Sequence, residues 1–130
     1  MSIASYRELK VWEKGMALNV ACHQVIILLP KTERYDIGSQ LRRSAISIPA
    51  NIAEGYGRSH LREYLQYLSI ANGSLNETET YLLLIQRLKL VPENETAPAL
   101  ETAKEAGKML TRMRGKLAVR LGASKRPVKR

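Results

Sequence analysis

Phenylalanine is absent from this sequence and tryptophan occurs once. A core must therefore be assembled from leucine, isoleucine, alanine and methionine, side chains that suit helix packing better than sheet packing. Cysteine is scarce too. Cys22 stands alone, which excludes an intrachain disulfide and a cysteine-built zinc centre and fits a reducing compartment; it reads as a small buried hydrophobe. No apolar run approaches the roughly 18 to 20 residues that cross a bilayer, and Met1 to Lys14 lacks the charged-then-apolar layout of an export signal, so a soluble cytoplasmic protein is expected. Negative charge is missing from one end: residues 112–130 hold 8 basic and no acidic side chains, against 13 basic and 12 acidic in residues 1–111. Nearly all of the net charge of +9 thus lies at the C-terminal end, the footprint of a polyanion partner or, more plainly, of a solubilising tail.

What is present suits one folded domain: 130 residues, 45% of them apolar and 25% charged. Ser5-Tyr6-Arg7-Glu8 has the Ser-x-x-Glu spacing of a capping box, which starts a first helix. Leu9, Trp12, Met16, Val20 and Ile27 form its expected buried stripe, widened by Val11, Leu18, Val25 and Leu29 until Pro30 ends it. A stripe that wide predicts contacts on more than one side. After a polar turn from Lys31 to Tyr35, the positions Ile37, Leu41, Ala45, Ile48 and Ile52 mark a second helix, with Asp36 as its cap, Pro49 as an interior bend and Gly55 or Gly57 as a left-handed terminus. Ser59 caps a third, running through Leu61, Tyr64, Leu65, Leu68, Ala71, Leu75, Leu82 and Ile85 to about Leu90, in which the small residues Ala71 to Ser74 let another helix come close. A fourth, capped near Thr96 or opened earlier by Pro92, carries Leu100, Ala103, Ala106, Leu110, Met113, Leu117 and Leu121 and ends at Gly122. Four amphipathic segments without strand-like alternation predict an all-α, antiparallel up-and-down four-helix bundle over residues 1–122, followed by a basic, disordered tail over 123–130.

The stretch from Ser39 to Arg58, with Leu41-Arg42-Arg43-Ser44 and Pro49-Ala50-Asn51-Ile52-Ala53-Glu54-Gly55-Tyr56-Gly57 inside it, resembles the signature of the four-helix-bundle proteins encoded in 23S ribosomal RNA intervening sequences. The likeness extends to Leu9-Lys10-Val11-Trp12, to Leu68-Ser69-Ile70-Ala71 and Gly73-Ser74-Leu75-Asn76-Glu77-Thr78-Glu79, and to Gly107-Lys108-Met109-Leu110. It implies an up-and-down bundle that forms ring-like homo-oligomers, commonly pentamers. A related branch serves as the accessory protein of diversity-generating retroelements, where it binds a reverse transcriptase and nucleic acid; this chain is more similar to the intervening-sequence branch, and the relationship leaves a reverse transcriptase open as a partner. The sequence departs from the family pattern at Pro92 and Pro98, where a more acidic, helix-favouring segment is usual, and after Gly122.

Catalysis, metals and cofactors find no support in the residues. Neither His23 nor His60 follows a glutamate by three positions, as a di-iron bundle requires. Glu77 and Glu79 point about 200° apart around a helix and are expected to pair with Arg42 or Arg43. Cys22 and His23 diverge and lack an acidic orienter. Gly55-x-Gly57 lacks the third glycine and the preceding strand of a dinucleotide fingerprint. A helix-turn-helix reader opened by Arg58, His60 and Arg62 would need shorter helices. The candidate site is instead Lys104, Lys108, Arg112, Lys116 and Arg120, an i, i+4 ladder of like charges in which Glu101 and Glu105 relieve only the first turn. A phosphate backbone would offset that repulsion, and Lys125, Arg126, Lys129 and Arg130 extend the basic run; a solvated face is the plain alternative. With no aromatic side chains between these cations, the expected contact is with the backbone of RNA or DNA rather than with its sequence. The alternative class is a structural or protein-docking oligomer.

Overall fold

Two apolar stripes run along the first helix, and they meet different surroundings. The computed structural model describes residues 5–125, with side chains described as far as Gly122. Ser5 accepts a hydrogen bond from the Arg7 N–H, but the turn it caps is a 3-10 turn over Tyr6–Glu8. The α-helix proper, α1, covers Lys10–Ile26. Its buried side chains include Val11, Leu18, Cys22, Val25 and Ile26, and Leu29 is buried just beyond it. Met16, Val20 and Ile27, expected as the core stripe, are 42%, 63% and 45% exposed. Leu9 is buried from an extended position before the helix, and Trp12 is half-buried with its ring edge-on to Tyr6 at 5.3 Å.

A four-residue helix, α2 (Lys31–Arg34), leads into α3 (Ile37–Tyr56). Asp36 stands at the start of α3, yet its side chain makes no capping bond there. The turn is tied by Arg34, which donates to the Ile27 and Leu29 carbonyls at 2.9 and 3.2 Å and so satisfies acceptors at the end of α1. Within α3, Leu41, Ala45, Ile48 and Ile52 face the core as expected. Pro49 has no N–H for the carbonyl of Ala45. That carbonyl accepts instead from Asn19 Nδ2 of α1, at 2.7 Å. The proline ring lies against Gly15 of α1, 3.4 Å from where a Cβ would stand. Gly57 closes α3 at φ −79°, and neither it nor Gly55 is left-handed. Gly55 is buried inside the helix, where a Cβ would come within 2.7 Å of Tyr67 Cβ.

Helix α4 covers Leu61–Arg87, with His60 rather than Ser59 in the capping position. It stops short of Leu90, and Lys89 takes the left-handed conformation at φ 57°. Two hydroxyl pairs stitch α3 to α4, Ser44 to Thr78 at 2.8 Å and Ser47 to Ser74 at 2.7 Å. Of the small residues expected at a close helix contact, Ala71 and Ser74 are buried, whereas Gly73 has open space around it. The last helix, α5, covers Glu93–Lys125. Its start is the earlier of the two expected: the Pro92 carbonyl accepts from Glu95 and Thr96, and Thr96 is a buried first-turn residue whose hydroxyl bonds Gln86 and the Glu93 carbonyl. Gly122 does not end the helix.

Each long helix packs on two others, in the cyclic order α1, α3, α4, α5. Contacting positions rise along one helix as they fall along the next. Gly15 faces Pro49 while Ile26 faces Gly38, Ser44 faces Thr78 while Gly55 faces Tyr67, and Gln86 meets Thr96 while Ser69 meets Arg114. The protein is an antiparallel four-helix bundle closed by the seam between α1 and α5. Leu18, Leu41, Ile48, Ile52, Leu68, Leu82, Ile85 and Leu110 fill its centre.

Candidate nucleic-acid interface

Four residues along an α-helix turn it through about 400°, so each step of an i, i+4 ladder advances about 40° around the axis. On α5 that drift has a consequence. Lys104, Lys108 and Arg112 line an open recess of about 550 Å³ between α5 and α4, whose far wall is Asn72, Asn76 and Glu79. Arg112 and Lys116 line a second recess, of about 240 Å³, between α5 and α1, where Lys10 joins them above Leu9 and Val11. The five cations therefore form one oblique track across the outer surface of α5, from the α4 side to the α1 side, with Arg120 exposed at its end. Lys125 closes α5. Arg126, Lys129 and Arg130 lie outside the described residues.

Among the described residues no carboxylate closes an ion pair on this track. Glu105 turns away to pair with Lys14 of α1 at 3.0 Å, and among the described residues the other ion pair is Arg58 with Glu54 at 2.6 Å. Glu93 and Glu101 line a separate recess with Glu79 and Lys104. Acid thus collects at the N-terminal end of α5 and base at its C-terminal end, the order that the helix dipole favours. Arg114, half-buried beside the ladder, donates to Ser69 Oγ across the α4 seam at 3.4 Å.

Other groups singled out in the sequence have structural partners. Arg42 donates to His23 Nδ1 at 3.2 Å, and among the described residues neither Glu77 nor Glu79 forms the expected ion pair with Arg42 or Arg43. Arg43 and Glu77 share a recess between α3 and α4 without closing on each other, because the buried contact there is made by serine and threonine hydroxyls. Arg58 binds Glu54 and the Tyr67 hydroxyl and lies 4.9 Å from the Tyr67 ring centre, so the cation that would open a reading helix is anchored to the turn. Burial pushes the Cys22 thiol up to about 12. Among the described residues no three His, Cys, Asp or Glu side chains are grouped to hold a metal ion, and no helix is long and apolar enough to cross a membrane.

Residues 7–112 match the family described as 23S rRNA-intervening sequence protein. The chain belongs to that family. A solved structure from Bacteroides thetaiotaomicron, described as a protein with unknown function from the S23 ribosomal protein family, superposes with a TM-score of 0.74 at 25% identity, over 79% of this chain and 96% of that one. No curated protein matches the chain.

In this intervening-sequence protein the stretch that carries the resemblance is chiefly scaffold. Pro49 seats in the Gly15 notch, Asn51 bonds back to Ser47, Glu54 holds Arg58, and Gly55 admits Tyr64 and Tyr67. The family match ends at Arg112, partway along the ladder. Lys10, Asn72, Asn76 and Gly107 also line the recesses; reading sequence alone omitted Lys10 and the two asparagines from the site. The four-residue spacing of Asn72 and Asn76 was the available signal, since it puts both amides on one side of α4.

Proposed function

We propose that this intervening-sequence protein is a non-enzymatic, homo-oligomeric nucleic-acid-binding protein that holds phosphate backbone along α5. The observation that carries the reading is the cation track from Lys104 to Arg120, which no carboxylate pairs among the described residues. Lys10 and Arg114 add charge beside it, and Lys125, Arg126, Lys129 and Arg130 continue the run. Contacts of this kind are made to phosphate and therefore accept RNA or DNA. Self-association is supported by Met16, Val20, Ile27 and Leu28, apolar side chains that the bundle leaves outward; a ring of five is what the family resemblance implies.

Binding to generic RNA or DNA should weaken steeply with salt, the logarithm of affinity falling with a slope of about −0.7 to −0.9 per phosphate neutralised. Reversing Arg112, Lys116 and Arg120 to glutamate should flatten that slope without unfolding the bundle, because all three side chains are exposed. Light scattering should report a mass well above the 14.6 kDa of one chain, reduced by Val20→Glu. Absence of retention at about 50 mM salt would favour the second reading, a docking scaffold for a protein such as a reverse transcriptase, for which the outward face of α1 would be the contact.

A further inference from the structure

We infer that the recess over Gly107, between α4 and α5, seats one nucleotide of a single-stranded polynucleotide, its base contacted by Asn72 and Asn76 and its phosphate by Lys108 and Arg112. This rests on the nucleic-acid reading above and adds a strand preference that a backbone track alone would not confer.

The space comes from a missing side chain. Gly107 has no Cβ, and one built there would stand 3.4 Å from Leu75 Cδ2, so Leu75 forms an apolar floor. The recess of about 550 Å³ falls within the roughly 300–1,000 Å³ of small-ligand sites. Its two walls differ in chemistry. On α4, Asn72 and Asn76 are one turn apart, and each amide offers a donor and an acceptor. Asn19 and Asn51 direct their amides at backbone carbonyls, whereas no hydrogen bond engages the Asn72 or Asn76 amide among the described residues. On α5, Lys108 and Arg112 bring positive charge, and Thr111 between them adds a hydroxyl.

The same lining sets direction. Glu79 lies beside Lys104 at the recess's other end, and its carboxylate repels a phosphate there. The phosphate is thereby placed toward Arg112, where the track passes into the α1 recess with Lys10 and Lys116. A base in a duplex is stacked and paired and cannot descend between two helices; an unstacked base can lie between α4 and α5 over Gly107 with its edge toward the amides. No aromatic ring lines the recess, so base discrimination comes from hydrogen bonding rather than from ring stacking.

Fluorescence anisotropy on the full chain tests this, with a single-stranded RNA, the DNA of the same sequence and a duplex of that length as probes. Wild type should prefer the single strands. Asn72→Ala with Asn76→Ala should lose about tenfold in single-strand affinity, the scale of two hydrogen bonds, while duplex affinity and salt slope stay unchanged. Gly107→Leu, which fills the recess, should do the same, with circular dichroism melting confirming the fold; should it unfold, the asparagine pair decides. The RNA and DNA arms show which sugar is accepted. Undiminished single-strand binding by the asparagine variant, or equal losses on single strand and duplex, overturns the recess while leaving backbone binding intact. Failure of wild type to retain any probe at low salt overturns both.

Discussion

Gly55 and Gly73 are both helical, and the space around them is opposite. A Cβ on Gly55 would press on Tyr67 Cβ at 2.7 Å and on the Tyr64 carbonyl at 3.2 Å, atoms that cannot swing away without moving α4. Gly55→Ala should therefore cost about 1–3 kcal/mol, as overpacking does. Gly73 meets nothing within 4 Å, so Gly73→Ala should stabilise by about 0.5–1 kcal/mol through the restricted unfolded chain. Urea denaturation of the two variants measures both signs. Sequence alone does not separate them, because what distinguishes the two glycines is the neighbouring helix. Cys22 supplies a pH dependence. Its thiol ionises near 9 when exposed and near 12 when folded, so between those values the unfolded chain binds fewer protons. Its contribution is complete below about pH 9 and is lost as pH rises, at up to about 1.4 kcal/mol per unit. Cys22→Ala should flatten the stability curve between pH 9 and 11 relative to wild type; parallel curves would contradict it.

One backbone acceptor helps to hold α3 against α1. Pro49 deprives the Ala45 carbonyl of its helical donor, and Asn19 supplies one from across the seam. Asn19→Ala should cost about 1–3 kcal/mol, the range for a stranded polar group. Combining it with Pro49→Ala, which restores the N–H, should cost less than the sum of the two single changes, and a double-mutant cycle by chemical denaturation reads that coupling. Four helices, their order and most buried positions of α3, α4 and α5 were legible in the sequence because each carries one dominant apolar stripe. Helix α1 carries two. Periodicity states which residues share a face, but with Met16 and Val20 as apolar as Leu18 and Val25 it does not state which face turns inward. Asp36, Ser59 and Gly122 show for a related reason that a capping residue is only an opportunity: Asp36 holds the capping position of α3 without a side-chain bond, His60 stands in the position expected for Ser59, and α5 runs on past Gly122.

For the whole molecule, the ladder was legible because charge spacing is a one-dimensional property. The recess beside it was not, since it needs Gly107 of one helix over Leu75 of another. The closing seam between α1 and α5 has a further consequence, for the time course of folding. Three seams join helices that follow one another closely in the chain, whereas Lys14 and Glu105 meet across 91 positions. Joining them carries the largest loop-closure entropy of the four pairings, and contacts that span more chain form later. Weakening this seam with Glu105→Ala should therefore speed unfolding and leave the folding rate nearly unchanged. Thr78→Val, at the α3–α4 seam, should instead slow folding, and stopped-flow chevrons of the two variants distinguish the arms. A bundle assembled in that order completes the recess between α1 and α5 only at the last step, because the α1 wall that carries Lys10 reaches Arg112 and Lys116 when the first helix docks on the last.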